Sequence, residues 1–310
     1  MLFWKRKVLL FKSEVTPGTD SVPTAAVNGI PVRNVALSPL EQEGEQRELD
    51  VNYVGNKGFI VAGAFQKLSC EVELAGAGAA GTVPGYGPLI KACAASETIA
   101  GGVSVTYAPV NPGGETTGTF YLYIGGRLHK ATYVVGTIKP MLSIRKIPVL
   151  QFDFMGLYIA PADVALPVPT LTAFQKPLAV NNVNTTPVTL HGFAGKFAEM
   201  SLDLGNQNVY RNLVGSESNR FIDRDSTMTV KMEEELVAAF DPWTKIRNGT
   251  LGAFSVQHGT VAGNIVVIAA PNVQLVQPAT APDQQIGMLT LKGLLTPSSA
   301  GNDEWSITVK

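Results

Sequence analysis

A chain of 310 residues is long enough for one large or two small domains with real cores. Its 24 basic and 25 acidic residues give a net charge of −1, which excludes a chain that grips nucleic acid, because that affinity comes mainly from Lys and Arg neutralising phosphates. Charged residues make up only 16% against 45% apolar, so either partners cover much of the surface or Thr, Asn and Gln solvate a β-rich exterior.

The opening Met1-Leu-Phe-Trp-Lys-Arg-Lys-Val-Leu-Leu-Phe11 imitates a signal peptide, but Lys12 and Glu14 cut its apolar run short. No stretch approaches the length of a membrane helix, so no membrane partner is expected. The sequons at Asn184 and Asn248 then read as chance. Two cysteines, Cys70 and Cys93, form no disulfide framework and suit a reducing cytoplasm as free thiols.

Period-two alternation dominates from Lys67 onward and makes the fold class mainly β. Leu68, Cys70, Val72 and Leu74 alternate with Lys67, Ser69, Glu71 and Glu73. Gly87-Pro-Leu89 starts a short helix to about Ala95, and strands are predicted at Phe120–Tyr123, Lys130–Val135, Met141–Ile144 and Val149–Phe154. Later strands are Met228–Met232, Ile265–Ile268, Val273–Val276, Met288–Leu291 and Trp305–Val309, with turns at Gly125-Gly126 and Ala270-Pro271-Asn272. Asp241-Pro242-Trp243 supplies an N-cap and first-turn proline, and Asn248-Gly249 closes that helix. Short strands with frequent punctuation are the pattern of sandwiches and barrels.

A Pro-rich, weakly charged segment, Pro161–Pro187, reads as a linker or extended arm between residues 1–160 and 188–310. The two flanks repeat an order of alternating strand, Pro-led helix and four strands, as a tandem duplication would. The expected counterparts are Lys67–Leu74 with Thr227–Glu235, Pro88–Ala92 with Pro242–Ile246, and Val103–Val105 with Phe254–Val256. The remaining pairs are Phe120–Tyr123 with Ile265–Ile268, Met141–Arg145 with Met288–Lys292, and Val149–Phe154 with Trp305–Val309.

Chemistry-bearing motifs are weak. Gly76-Ala-Gly-Ala-Ala-Gly81 spells G-x-G-x-x-G, yet Thr-Val-Pro-Gly-Tyr-Gly-Pro follows it where a dinucleotide fold needs a helix, so a flexible Ala/Gly loop is expected. His129, His191 and His258 are scattered without metal-ligand spacing, and Gly215-Ser-Glu-Ser lacks the closing glycine of a nucleophile elbow. Glu233-Glu-Glu235 could hold a cation or form a solvated strand end. Tyr121, Tyr123, Phe152 and Phe154 could stack on a ligand or fill a core. No catalytic, cofactor or metal residues are assigned, and no enzyme activity is expected.

Lys12-Ser-Glu-Val-Thr-Pro-Gly-Thr-Asp-Ser-Val-Pro-Thr24 and Asn34-Val-Ala-Leu-Ser-Pro39 resemble the opening of tail tube proteins from bacteriophages with long, non-contractile tails. Cys70–Gly78 and Gly85–Cys93 are similar to the middle of that family, and Thr119–Thr137 and Val149–Pro161 to its end. The resemblance implies a β-sandwich or partial barrel with one helix, and stacked rings of self-associated chains in a virion tail through which genomic DNA passes without specific binding. It also implies tape-measure, tail-terminator and baseplate partners and assembly in the host cytoplasm. Val188–Lys310 departs from the single-copy pattern: as a second copy it would make the ring a homotrimer with pseudo-sixfold symmetry, and as a decoration the ring would be a hexamer. Other readings are a tail terminator, head-completion or decoration protein, or an adhesive carbohydrate-binding sandwich.

In a ring, edge strands of neighbours can pair into one closed barrel. Met228, Val230 and Met232 are expected to face the core. Lys67, Ser69, Glu71, Glu73, Thr229, Lys231, Glu233 and Glu235 would line or flank the channel, where carboxylates repel phosphates, or would face the exterior or a neighbour. The loop Ala75–Gly87, the arm Pro161–Pro187 and the segment Met1–Pro39 are expected to be the intersubunit contacts.

Overall fold

A computed structural model describes residues 3–310, so Met1 and Leu2 of the signal-like start and N-terminal segment lie outside the described residues. The chain is mainly β with two short helices. The first half comprises β1 (Lys7–Ser13), β2 (Gly29–Ile30), β3 (Arg33–Gln46), β4 (Phe59–Glu73), α1 (Gly87–Lys91), β5 (Ala95–Ala100), β6 (Ser104–Pro109), β7 (Gly118–Ile124), β8 (Arg127–Ser143) and β9 (Val149–Asp163). The second comprises β10 (Thr185–Leu190), β11 (Phe197–Asp203), β12 (Asn206–Leu213), β13 (Ser216–Arg224), β14 (Thr227–Glu233), α2 (Pro242–Arg247), β15 (Leu251–His258), β16 (Val266–Asp283), β17 (Ile286–Leu295) and β18 (Ser306–Val309).

Alternation dictates these strands. Along β4, Leu68, Cys70 and Val72 are buried at about 1% exposure or less, and along β14 so are Met228, Val230 and Met232, at 2% or less. Their intervening residues project to the other face. In α2 the Asp241 carboxylate accepts from the Thr244 amide at 3.0 Å and Pro242 sits where no amide donor is needed. Gly249 follows with a φ of +63°, a conformation that favours glycine. In the first half, the Phe11 and Phe154 rings pack 5.5 Å apart and join β1 to β9 across the core. Tyr121, Tyr123, Phe152 and Phe154 are all buried.

The pairing order in the first half is β1-β7-β8-β9-β4-β3, and in the second it is β10-β15-β16-β17-β14-β11. Each helix follows the fifth strand of its series. The two series meet where β8 pairs with β11, so that β3-β4-β9-β8-β11-β14-β17-β16 is one uninterrupted eight-strand path. A second link runs β16-β18-β6, and one apolar core spans both halves.

Several expectations change. Lys130–Val135 and Met141–Ile144 fuse into β8, and Ile265–Ile268 and Val273–Val276 fuse into β16. Ala270-Pro271-Asn272 is therefore a bulge within a strand, because β15 still pairs on both sides of it. The first helix stops at Lys91, as Ala95 already begins β5. In the two pairing orders β7 holds the place of β15, β8 that of β16, and β9 that of β17 followed by β18, so the strand pairs expected there from the sequence do not fall at matching places. Phe120–Tyr123 thus matches the strand of Phe254–Val256, not Ile265–Ile268. The strand of Val103–Val105 belongs to an extra hairpin, β5-β6.

The expected contact loops are docked on their own chain. The Gly76 amide donates to Asn264 Oδ1 at 2.9 Å and the Gly78 amide to the Gly263 carbonyl at 2.8 Å. A Cβ on Gly76 would lie 2.2 Å from that carbonyl, so only glycine permits the approach. The strand-free part of the arm is residues 164–184, pinned by Thr170 to Ala25 and by reciprocal bonds between Val180 and Arg145-Lys146. In the N-terminal segment, β1 is paired on both sides, by β2 and β7.

Candidate functional site

The polar face of the eight-strand path is the surface that the sequence singles out. Lys67, Ser69, Glu71 and Glu73 stand on β4 and Thr229, Lys231 and Glu233 on β14, on the face opposite the buried rows. Glu235 lies just past β14, tied with Glu233 to Lys196 at 3.3 and 2.7 Å. Those hydrogen bonds raise the Lys196 pKa and set the Glu233 and Glu235 carboxylates against a lysine ammonium. No cluster of metal-ligating side chains occurs among the described residues.

The two predicted rows share a face but do not touch, since β9, β8 and β11 lie between them. Register fills the gap. Ser69 pairs with Asp153 and Asp153 with Thr137, while Glu71 pairs with Gln151 and Gln151 with Lys139. On the far side Thr229 pairs with Ser201, and Ser201 with Met141. Laterally paired residues project to the same side, so these residues complete the face. Gln151 and Asp153 alternate with apolar neighbours in sequence and carry the same signal as β4. Asp203 and Lys139 had no such signal.

Carboxylates on this face include Glu71, Glu73, Asp153, Glu199, Asp203, Glu233 and Asp283, and its cations include Arg33, Lys67, Lys139, Lys231 and Lys292. Three of those cations are held by carboxylates: Arg33–Glu71 at 2.8 Å, Lys139–Asp203 at 3.5 Å and Lys231–Asp283 at 3.7 Å. The surface is mildly acidic and its positive charge is mostly neutralised in place. Behind it, burial pushes the Cys70 thiol up to about 12, helped by Asp153 and Glu71, and burial raises Cys93 as well. Both thiols are protonated and unreactive at neutral pH.

Both ends of the path are open. Among the described residues β3 has no partner beyond β4, and β16 has none along Ala279–Asp283 on the side away from β17. The hairpins that extend the path differ in the same way. The β12-β13 hairpin lies on the first half: the Tyr210 ring packs tilted against Phe65 at 5.0 Å, its hydroxyl accepts from the Ala64 amide at 3.1 Å, and Asn219 Nδ2 donates to the Tyr133 carbonyl at 3.1 Å. The outer part of the β3-β4 hairpin leaves Phe59, Ile60 and Val61 about half exposed.

The histidines are structural. His258 Nδ1 bonds the Thr185 hydroxyl at 2.8 Å, His191 Nε2 the Val273 carbonyl at 2.9 Å, and His129 is buried; burial lowers all three pKa values. No sequence pattern points to Glu14, a buried carboxylate that accepts from Gly18 and Tyr133 amides and from the hydroxyls of Thr117 and Thr119 at 2.7–2.9 Å. It fixes the loop after β1 to β7 and β8. No protein-family model matches the chain, and no curated protein matches it.

Proposed function

We propose that this chain is the wall of a bacteriophage tail tube: a structural virion protein whose stacked rings form the conduit for DNA. The observation that carries the reading is the eight-strand path, two four-strand units in series with an open edge at each end. A sheet that repeats within the chain and ends unpaired is completed by further copies. The recurring pairing order also favours a tandem duplication, so three chains would supply six units.

The register supports closure. Glu73 and Glu233 are matching positions, since each is the last paired residue of its strand, opposite Val149 and Met288. The next amide in each case bonds the residue before that partner, Leu74 to Pro148 and Glu234 to Gly287, both at 2.9 Å. One row runs Glu73, Val149, Met141, Ser201, Thr229, and Thr229 stands four residues before Glu233. Each unit of four strands thus advances the register by four residues. Six units give about 24 strands with a shear of about 24, hence a tilt of about 35°, within the usual barrel range. At about 4.8 Å between strands the backbone diameter is about 45 Å, wide enough to pass a DNA duplex.

The polar face would line that channel, with the apolar rows and helices outside it. A mildly acidic lining with neutralised cations lets DNA pass, whereas a basic one would retain it. Tape-measure, terminator and baseplate proteins are the partners this role requires. Negative-stain imaging of purified protein at rising concentration tests it: rings with six lobes and hollow tubes are expected, and a particle that stays solitary at every concentration would refute it.

A further inference from the structure

We propose that the seam between chains repeats the seam inside the chain, with Arg33–Ala36 of β3 pairing antiparallel with Ala281–Asp283 of β16 in the next copy. The inference rests on the tube reading and adds the partner strands and their register.

The template is the β8-β11 junction, where Met141 pairs with Ser201, Leu142 with Met200 and Ser143 with Glu199. Both sides can be carried over by position. Met141 lies in the row of Glu73, and its counterpart in the row of Glu233 is Ala281. Ser201 lies opposite Thr229, whose counterpart is Ser69, and Ser69 pairs with Ala36. Ala281 of one chain therefore falls opposite Ala36 of the next. Two residues on, Asp283 takes the position of Ser143, and Arg33, opposite Glu71, takes that of Glu199.

Three further observations identify a second copy as the occupant. The carried-over register sets the Asp283 carboxylate against the Arg33 guanidinium, a complementary pair at two open edges. Both side chains are about half exposed in the single chain. The β12-β13 hairpin at the inner seam, which buries Tyr210 and Phe221 against the first half, holds the place of the outer β3-β4 arm, whose exposed Phe59, Ile60 and Val61 would gain cover from the next copy. Finally, Glu234 donating to Gly287 directs the amide sides of alternate β16 residues, so that Pro282 turns toward the open edge. A proline there offers a carbonyl and no donor, which tolerates a matched partner but weakens promiscuous pairing.

The same alternation makes Ala36 and Ala281 a non-hydrogen-bonded pair, whose Cβ atoms approach closely enough for a disulfide. The test is the double variant Ala36→Cys/Ala281→Cys under mild oxidation, read on denaturing gels. A ladder ending at the covalent trimer is expected, at least tenfold more efficient than with Leu40→Cys/Ala281→Cys, which is four residues out of register. Imaging each single variant checks that assembly survives the substitutions. Rings that form while only the out-of-register pair cross-links would overturn the seam and leave the tube reading standing. Wild-type and single-variant chains that never form rings would remove both.

Discussion

The β8-β11 seam and the β3 edge are boundaries of the same two four-strand units, one paired and one open. At the first, β11 meets β8, Met200 is buried, and the β12-β13 hairpin lies on its neighbour. At the second, β3 meets nothing beyond β4, and its hairpin leaves apolar side chains in water. If β3 pairs with the next copy as proposed, the exposure of Phe59, Ile60 and Val61 marks an unfinished junction; at the inner one Tyr210 and Phe221 are buried, while Val209, Leu213, Val214 and Ile222 stay exposed.

The sharpest way to break that comparison is to mutate both hairpins. Tyr210→Ala should cost about 3 kcal/mol of stability in denaturant unfolding, through a lost buried ring and its two hydroxyl bonds. Phe59→Ser combined with Ile60→Ser should change monomer stability by no more than about 0.5 kcal/mol, as exposed substitutions do. The same variant should lower ring and tube yield at least tenfold by sedimentation. If the arm variant unfolds as readily as Tyr210→Ala, the arm is packed in the single chain and the contrast fails.

A second comparison concerns the two faces of the sheet. Lysine at Glu71, Glu73, Glu233 and Glu235 together should leave rings intact but make tubes bind duplex DNA with steep salt dependence, and should slow ejection from virions. Ejection at the normal rate would mean that this face is not the lumen. On the buried face, thiol reagent should label Cys70 and Cys93 only as the protein unfolds, with rates that follow unfolding and not pH between 7 and 8. Rapid labelling of the native chain would show that the core behind β4 opens.

The smallest effect is expected from pH. His129, His191 and His258 have folded-state pKa values below the ordinary 6.5, chiefly through burial. The unfolded chain then binds protons more readily, so the stability they allow is fully present above pH 6.5 and is lost as pH falls through the lowered folded values. Denaturant midpoints at pH 7.5 and 5.0 should decrease accordingly. These histidines lie in both halves, and the shared core predicts one unfolding transition for the whole chain.

Much of the local structure was legible in the sequence because its causes are local. Alternation in Lys67–Leu74 and Thr227–Glu233 determined which side chains are buried, and Asp241-Pro242 with Asn248-Gly249 bracketed α2. The polar rows of the candidate site followed from the same period. Pairing did not follow, because strands of equal period are interchangeable until their partners are known. For that reason the sequence suggests a turn at Pro271 where β16 carries a bulge, and a flexible loop at Ala75–Gly87 where Gly76 and Gly78 bond Asn264 and Gly263.

By itself, then, the amino-acid order determined a β protein with two short Pro-led helices and one polar and one apolar face per amphipathic strand, since side-chain direction depends only on position within a strand. Only the tertiary structure decided that β8 joins β11, that each unit advances the register by four residues, and that, among the described residues, β3 and the Ala279–Asp283 end of β16 each keep one free edge. Those are contacts between residues far apart in the chain, fixed by backbone hydrogen bonds that no local pattern encodes.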